Sequence, residues 1–386
     1  MNPPQVGEYT KAKGLENVGA TCYMNAVLQC FYHVKALTNE LFQVYSPMPM
    51  TSAYKDTINQ LSSNSQGAAR PIAFKNVISL NPLFRGIQAN DSKDLILYFL
   101  ETIENELTIQ NYFCQNQKYI NRIRFLKNIN DPALINIINV FENSHKSIIS
   151  DLFYGFRSQL LTCKSCKEQL LNYQIFNLII FPIEVVYNSL NNSTGYNSKT
   201  VVAKKNNDYW RANQEYGNFY NGYNSSNTSI NRNRYVYGNV KKVSLEDCFE
   251  KEIKNMEFSG ENQIYCNKCN KLCDAISENK IYSSPHILIL ILNRGKGNQF
   301  DCEVEFPEKN LNIKKYVERN DVPTNYNLIG VISHLGESSM NGHFIADCKH
   351  FDGKWYSFSD SSVSGPNYNY SKKGTPYILF YQNSAL

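Results

Sequence analysis

Apolar residues recur three and four positions apart along 25–34 (NAVLQCFYHV) and 94–107 (DLILYFLETIENEL), the spacing that gathers them on one face of a helix. These stretches predict amphipathic helices inside a mostly helical segment from Gly14 to about Leu107. The second has a start signal, because Asn90, Asp91 and Ser92 all offer capping side chains where first-turn N–H groups lack partners. Helix-like but irregular sequence continues from Tyr112 to Ser150. From Leu152 to Cys166 (LFYGFRSQLLTCKSC) the pattern changes to strand-like alternation ending at a cysteine pair, and Leu170 to Val186 is again β-rich. The last hundred residues alternate short apolar strands with turns (HILILIL, LIGVISHL, GHFIADC, KWYSFSD, PYILFYQ), which predicts a mainly antiparallel sheet. The aliphatic run Ile287–Leu292 is far shorter than the ~20 residues a bilayer crossing needs and reads as a buried strand. The chain is therefore expected to be α+β: a helical lobe, a cysteine-pinned β segment and a β lobe, with a crevice between the first and the last.

Composition changes this picture in one place. Between Asn188 and Arg234, 13 of 47 residues are Asn and half of the others are Ser, Gly, Tyr or Lys, which cannot supply a core. A disordered surface insertion is expected over about 188–240, with its tyrosines as an interaction segment the other reading. The whole chain of 386 residues is 42% hydrophobic and so has material for a sizeable core. Its 39 Lys+Arg against 34 Asp+Glu leave +5, too little and too evenly scattered to imply nucleic-acid binding by charge alone. The first residues hold no apolar signal segment, and eleven cysteines, partly in Cys-x-x-Cys pairs, fit metal binding or catalysis in a reducing cytoplasmic or nuclear compartment.

Candidate chemistry lies in three places. Cys22 stands in GLENVGATCYMNAVLQCF, just before a helix, where the dipole and free N–H groups favour thiolate. A small buried residue is the plainer reading of any one cysteine. A thiol nucleophile needs a base and the base needs an orienting partner. His343 opens a strand after a Gly/Ser-rich turn, and 16 residues later Ser359 and Asp360 end KWYSFSD, so hairpin pairing would bring one of them beside the imidazole. Ser359 and Asp360 point to opposite faces of a regular strand, so only one meets the ring directly. The residues alone leave open whether that one is Ser359 or Asp360. Third, Cys163-x-x-Cys166 and Cys266-x-x-Cys269 have the two-knuckle spacing of a closed Cys₄ zinc site, with Cys273 as a substitute ligand or no metal at all as the alternatives.

GLENVGATCYMNAVLQ and GVISHLGESSMNGHFIADCKHFDGKWYSFSD together resemble the Cys and His boxes of the ubiquitin-specific protease family of deubiquitinating enzymes. Weaker matches are ANDSKDLI, the segment Asp151–Gly155, and LILNR. The resemblance implies a papain-like cysteine protease fold of thumb, palm and fingers, active on ubiquitin conjugates. It implies Cys22 as nucleophile, His343 as general base and then acid, and Asn17 as side-chain donor to the oxyanion. Asp91 and Asp94 would meet the basic tail of ubiquitin, and His334 would line the tail channel. Zinc would be structural, held by Cys163, Cys166, Cys266 and Cys269 at the fingertips, with no catalytic cofactor.

Here the sequence departs from the family pattern: Ala89 and Asn90 stand where Gln is usual, and Phe344 where Tyr is usual. Ser359 occupies the third catalytic position, usually Asp or Asn, which keeps open a weakly active or inactive ubiquitin-binding scaffold, besides a protease for a ubiquitin-like modifier. Residues 1–13 would be a tail and 14–386 one catalytic domain, with 14–150 mainly thumb, 151–290 mainly fingers and 291–386 mainly palm. The expected partners are ubiquitin and ubiquitinated proteins, with no nucleic acid, no membrane, and the chain a monomer.

Overall fold

The computed structural model describes residues 11–44, 47–109, 132–145, 147–192, 242–295, 300–336, 342–366 and 374–386. Among the described residues seven α-helices come first: α1 (Cys22–Tyr32), α2 (Lys35–Gln43), α3 (Pro49–Ser62), α4 (Ile72–Ile78), α5 (Ser92–Ile109), α6 (Pro132–Ser144) and α7 (Ile148–Phe153). The periodicity of α1 predicts one buried face, yet every residue from Cys22 to Tyr32 is buried. The helix lies between α5 and a β-sheet, and an all-round apolar surface suits that position. Its polar residues turn to backbone: Gln29 Nε2 donates to the Lys13 carbonyl (2.8 Å).

Two buried glutamates on α5 start two other helices. α3 has no cap of its own at Met48, and the Glu106 carboxylate takes the N–H groups of Met50 (2.8 Å) and Thr51 (2.7 Å) and the Thr51 hydroxyl (2.7 Å). Glu104 likewise accepts from the Ser147 hydroxyl (2.5 Å) and the Ser150 N–H (2.9 Å) at the start of α7. Anionic acceptors at helix N-termini satisfy free N–H groups and meet the positive end of the dipole. Glu106→Ala leaves three buried donors unpaired, at ~1–3 kcal/mol each when nothing replaces the acceptor. The variant is expected to lose at least about 2 kcal/mol of unfolding free energy in a denaturant titration. An unchanged midpoint would refute the capping role.

The strands are β1 (Gly155–Cys163), β2 (Gln169–Phe176), β3 (Ile179–Pro182), β4 (Val243–Ser244), β5 (Met256–Phe258), β6 (Ile264–Cys266), β7 (Lys271–Cys273), β8 (Ala275–Ser283), β9 (Ile287–Asn293), β10 (Val304–Glu305), β11 (Leu311–Asn312), β12 (Asn325–Leu335), β13 (His343–Lys349), β14 (Trp355–Ser359), β15 (Ser362–Ser364) and β16 (Thr375–Asn383). The main sheet runs β15-β14-β13-β12-β16-β9-β3, with β11 beside β12. It is antiparallel except at β3–β9. The continuous run of β9 follows from burial on both faces. Ile287, Ile289 and Ile291 join the core shared with the helical lobe, whereas Leu288, Leu290 and Leu292 join a second core on the other face. That second face is covered by two more helices, α8 (Ile183–Asn192) and α9 (Leu245–Glu252).

A second sheet, β2-β1-β8-β5, with the separate β6–β7 hairpin, forms the cysteine-bearing extension. The segment 151–290 is thus divided: β3, α8, α9 and β9 belong to the main sheet and its outer core. Helix also continues to Asn192 where insertion composition begins, and most of the Asn-rich insertion lies outside the described residues. Among the described residues, no helix is long and apolar enough to cross a membrane.

Candidate active site

The turn before α1 is shaped by one side chain. Asn17 Oδ1 accepts the N–H groups of Gly19 (3.2 Å) and Thr21 (3.1 Å) and the Thr21 hydroxyl (3.3 Å). Gly19 (φ 114°) and Ala20 (φ 47°) are both in the left-handed region, which swings the chain into the helix. Thr21 provides no side-chain cap to α1, whose first residue, Cys22, is 6% exposed. Burial raises the Cys22 pKa. The Phe344 N–H acts against this, the Asp360 charge adds to the rise, and the N–H groups of Tyr23 and Cys22 oppose it. The expected pull of the helix terminus toward thiolate is therefore present but outweighed by desolvation.

β13 begins at His343, and β14 ends at Ser359. Their register includes Ala346 opposite Phe358 and, carried one step further, sets Ser359 opposite Ile345, on the same face as His343. His343 Nε2 and Ser359 Oγ are 2.9 Å apart. Since that contact uses Nε2, Nδ1 is left for the thiol side, where the adjacent Phe344 N–H already meets Cys22.

Asp360 turns the other way. Its φ of 51° breaks the strand, and its carboxylate accepts from Asn17 Nδ2 (2.9 Å) and Asn25 Nδ2 (2.7 Å). The backbone is pinned as well: the Leu15 N–H donates to the Asp360 carbonyl (2.9 Å), and a Cβ on Gly14 would lie 2.5 Å from that oxygen. Glycine is required there by close approach.

Asp91 is the α5 cap, accepting from the Lys93 N–H (2.8 Å), and its carboxylate also receives the Tyr377 hydroxyl (2.9 Å). Burial raises its pKa, with Asp94 adding and Lys93 and Tyr377 opposing. Asp94 pairs with Lys93 Nζ (2.9 Å) at a half-exposed site. His334 is only 3% exposed, stacked edgewise on Phe344, and a Cβ at Gly342 would lie 2.0 Å from its Nε2. Burial lowers the His334 pKa, and His343 adds to the effect. Tyr377 and Asn25 escaped the sequence reading, because PYILFY and CYMN look like plain strand and helix; the buried polar position three residues after Cys22 was the available signal for Asn25.

The four cysteines of the two knuckles come together, with all ligand atoms of Cys163, Cys166, Cys266 and Cys269 within 4.8 Å of one another. Each knuckle closes on a left-handed residue: Lys167 (φ 61°), whose N–H reaches the Cys163 carbonyl (3.0 Å), and Asn270 (φ 55°), whose N–H reaches Cys266 (2.8 Å). Zinc–sulfur bonds of ~2.3 Å put tetrahedral sulfurs roughly 3.8 Å apart, and the Cys166–Cys266 sulfurs are 3.5 Å apart. The donor set fits the metal. Cys273 packs against this cluster and is buried at the end of β7, outside the group of four.

Residues 13–381 match the family model described as ubiquitin carboxyl-terminal hydrolase. Ubiquitin carboxyl-terminal hydrolase 10 of Saccharomyces cerevisiae is 24% identical over 92% of this chain and 45% of its own length. For ubiquitin carboxyl-terminal hydrolase 2 of Bos taurus the values are 24%, 96% and 54%, and for human ubiquitin carboxyl-terminal hydrolase 3 they are 25%, 96% and 68%. The chain spans about half the length of the first two. Among solved structures, a chain of the SAGA Ubp8/Sgf11/Sus1/Sgf73 DUB module bound to ubiquitin aldehyde shares the fold, with a TM-score of 0.63 at 20% identity over 99% of this chain and 71% of that one.

Proposed function

Because the chain belongs to the ubiquitin carboxyl-terminal hydrolase family, we propose that it is a thiol-dependent deubiquitinase, hydrolysing the isopeptide or peptide bond after the C-terminal Gly of ubiquitin. The observation that carries this reading is the convergence of Cys22 at a helix N-terminus without a side-chain cap, His343 held by Ser359, and Asn17 held by Asp360. In the proposed reaction the Cys22 thiol gives its proton to His343 Nδ1 as sulfur attacks the carbonyl carbon. The oxyanion receives the Cys22 N–H and the second Nδ2 hydrogen of Asn17. His343 then protonates the leaving amine, and water attacks the thioester with His343 as base, returning the proton to sulfur. Ser359 Oγ accepts the imidazole N–H throughout.

Zinc bound by Cys163, Cys166, Cys266 and Cys269 would be structural, holding the two knuckles together. None of the ten described cysteines is in a disulfide, which supports a reducing cytoplasmic or nuclear address. The test of function is turnover of a ubiquitin C-terminal fluorogenic amide. Absence of turnover, with tight ubiquitin binding retained, would establish the scaffold instead, and preference for a ubiquitin-like modifier would move the substrate.

Two finer roles belong to the same proposal. Asp91 and Asp94 are proposed to receive the basic ubiquitin tail, Asp94 by exchanging Lys93 for an arginine. Charge-assisted bonds contribute ~1.5–3 kcal/mol, so Asp94→Lys is expected to lower kcat/KM about 10- to 100-fold while alkylation of Cys22 by a small reagent is unchanged. Equal losses in both assays would mean a folding defect. A neutral acceptor stabilises imidazolium less than a carboxylate by about tenfold in rate, so Ser359→Ala slows cleavage modestly and Ser359→Asp keeps or raises it. Abolished cleavage in folded Ser359→Asp protein would show that another group orients His343.

A further inference from the structure

We propose that Asn25 is a positioning residue for the oxyanion donor, acting through Asp360; the inference rests on the hydrolase reading above. Three donors saturate Asn17 Oδ1, which fixes the amide plane and turns Nδ2 away from the loop. One Nδ2 hydrogen goes to Asp360 Oδ2 (2.9 Å), and the other is left for developing charge on the substrate. The direction of that second hydrogen thus depends on where the Asp360 carboxylate sits.

Asp360 by itself is a turn residue with a side chain free to rotate toward solvent. Asn25 prevents this. Its Nδ2 meets Asp360 Oδ1 at 2.7 Å and also reaches the carbonyls of Leu15 (3.3 Å) and Glu16 (3.2 Å). One amide of α1 therefore ties together the nucleophile's helix, the segment leading to Asn17 and the turn carrying Asp360. Asn25 is 2% exposed, and its own Oδ1 has no hydrogen-bond partner among the described residues. A buried carbonyl without a partner costs stability, so the position holds an amide for its donors alone. A merely structural anchor would be satisfied by the two backbone carbonyls and would not need a half-exposed carboxylate aimed at Asn17.

The experiment is a double-mutant cycle on Asn25→Ala and Asp360→Ala, read with a ubiquitin C-terminal amide and with a small activated ester. Both substrates form a tetrahedral intermediate at Cys22. Removing an oxyanion donor outright costs about 10²–10³ in kcat, and misaiming it is expected to cost about tenfold or more. Asn25→Ala should therefore lower kcat on both substrates with KM within about twofold, leave Cys22 alkylation by iodoacetamide unchanged, and have under about twofold effect in the Asp360→Ala background. Additive losses, or a loss confined to KM, overturn the inference. Where Asn25→Ala does not fold, Asn25→Ser, whose hydroxyl is too short to reach Asp360, carries the same cycle. A wild-type protein that cleaves the ester but not the ubiquitin amide would refute the ubiquitin reading, and the ester cycle would still decide Asn25.

Discussion

Cys22→Ala protein is expected to form no adduct with ubiquitin bearing a C-terminal thiol-reactive group, whereas the wild type gains one ubiquitin mass. The effect should be complete, because Cys22 is the thiol met by the N–H of Phe344, the residue next to His343. Cys30, eight residues further along α1, is 1% exposed and lies against Cys348, with their sulfurs 3.8 Å apart, so it is not a substitute. Desolvation raises the Cys22 pKa in the free protein, so the thiol is expected to be a sluggish target for small alkylators at neutral pH and to react much faster with the ubiquitin probe. Burial favours the thiol over the thiolate in the free protein, and in the proposed reaction His343 takes the proton once substrate is bound. Labelling of Cys22→Ala at the wild-type rate would show that another cysteine carries the chemistry.

The second large effect concerns the metal. The purified protein is expected to contain one equivalent of zinc, and Cys266→Ser to lose both the metal and the folded extension. Structural zinc in small modules contributes about 10–16 kcal/mol of apparent binding energy, comparable to the whole stability of an ordinary domain. The extension has little else to rely on. β6 and β7 are three residues long, and much of the β2–β1 surface is only half-buried. The cysteine cluster is separate from the two main cores, so zinc removal should spare the fold around Cys22. Chelator-treated protein is expected to lose ubiquitin capture while iodoacetamide still alkylates Cys22. Acid should release the metal, since the ligands are thiolates and protonation competes with binding. Less than a tenth of an equivalent of zinc in folded, active protein would end the claim.

Some elements of the fold are legible because their cause is local. Cys22 opens a helix because an apolar run with 3.6-residue periodicity begins there, and Ile287–Leu292 is a buried strand because no polar residue interrupts it. Other elements were hidden by composition. Ile183–Asn192 starts inside the stretch expected to be β-rich, and the helix Ile148–Phe153 runs on into Leu152 and Phe153, where strand-like alternation is expected. Their propensities are weak, and burial of Ile183 and Val186 in the outer core, or of all of Ile148–Phe153, outweighs them.

The sequence by itself determined which reactive groups the chain carries and which elements bear them: a thiol before a helix, an imidazole opening a strand, two cysteine knuckles. Those follow from residue identity and from periods of two and 3.6, which are properties of a few neighbouring positions. Only the tertiary structure decided what each group touches. Asp360 lies 343 positions from Asn17 and 335 from Asn25, and Tyr377 lies 286 from Asp91. The left-handed turn at Asp360 gives His343 to Ser359 and the carboxylate to the two amides, and burial sets the Cys22 pKa against its own helix terminus. Contacts at such separations depend on how whole elements stack, and desolvation depends on everything packed around a group, so neither is encoded in any short window of the chain.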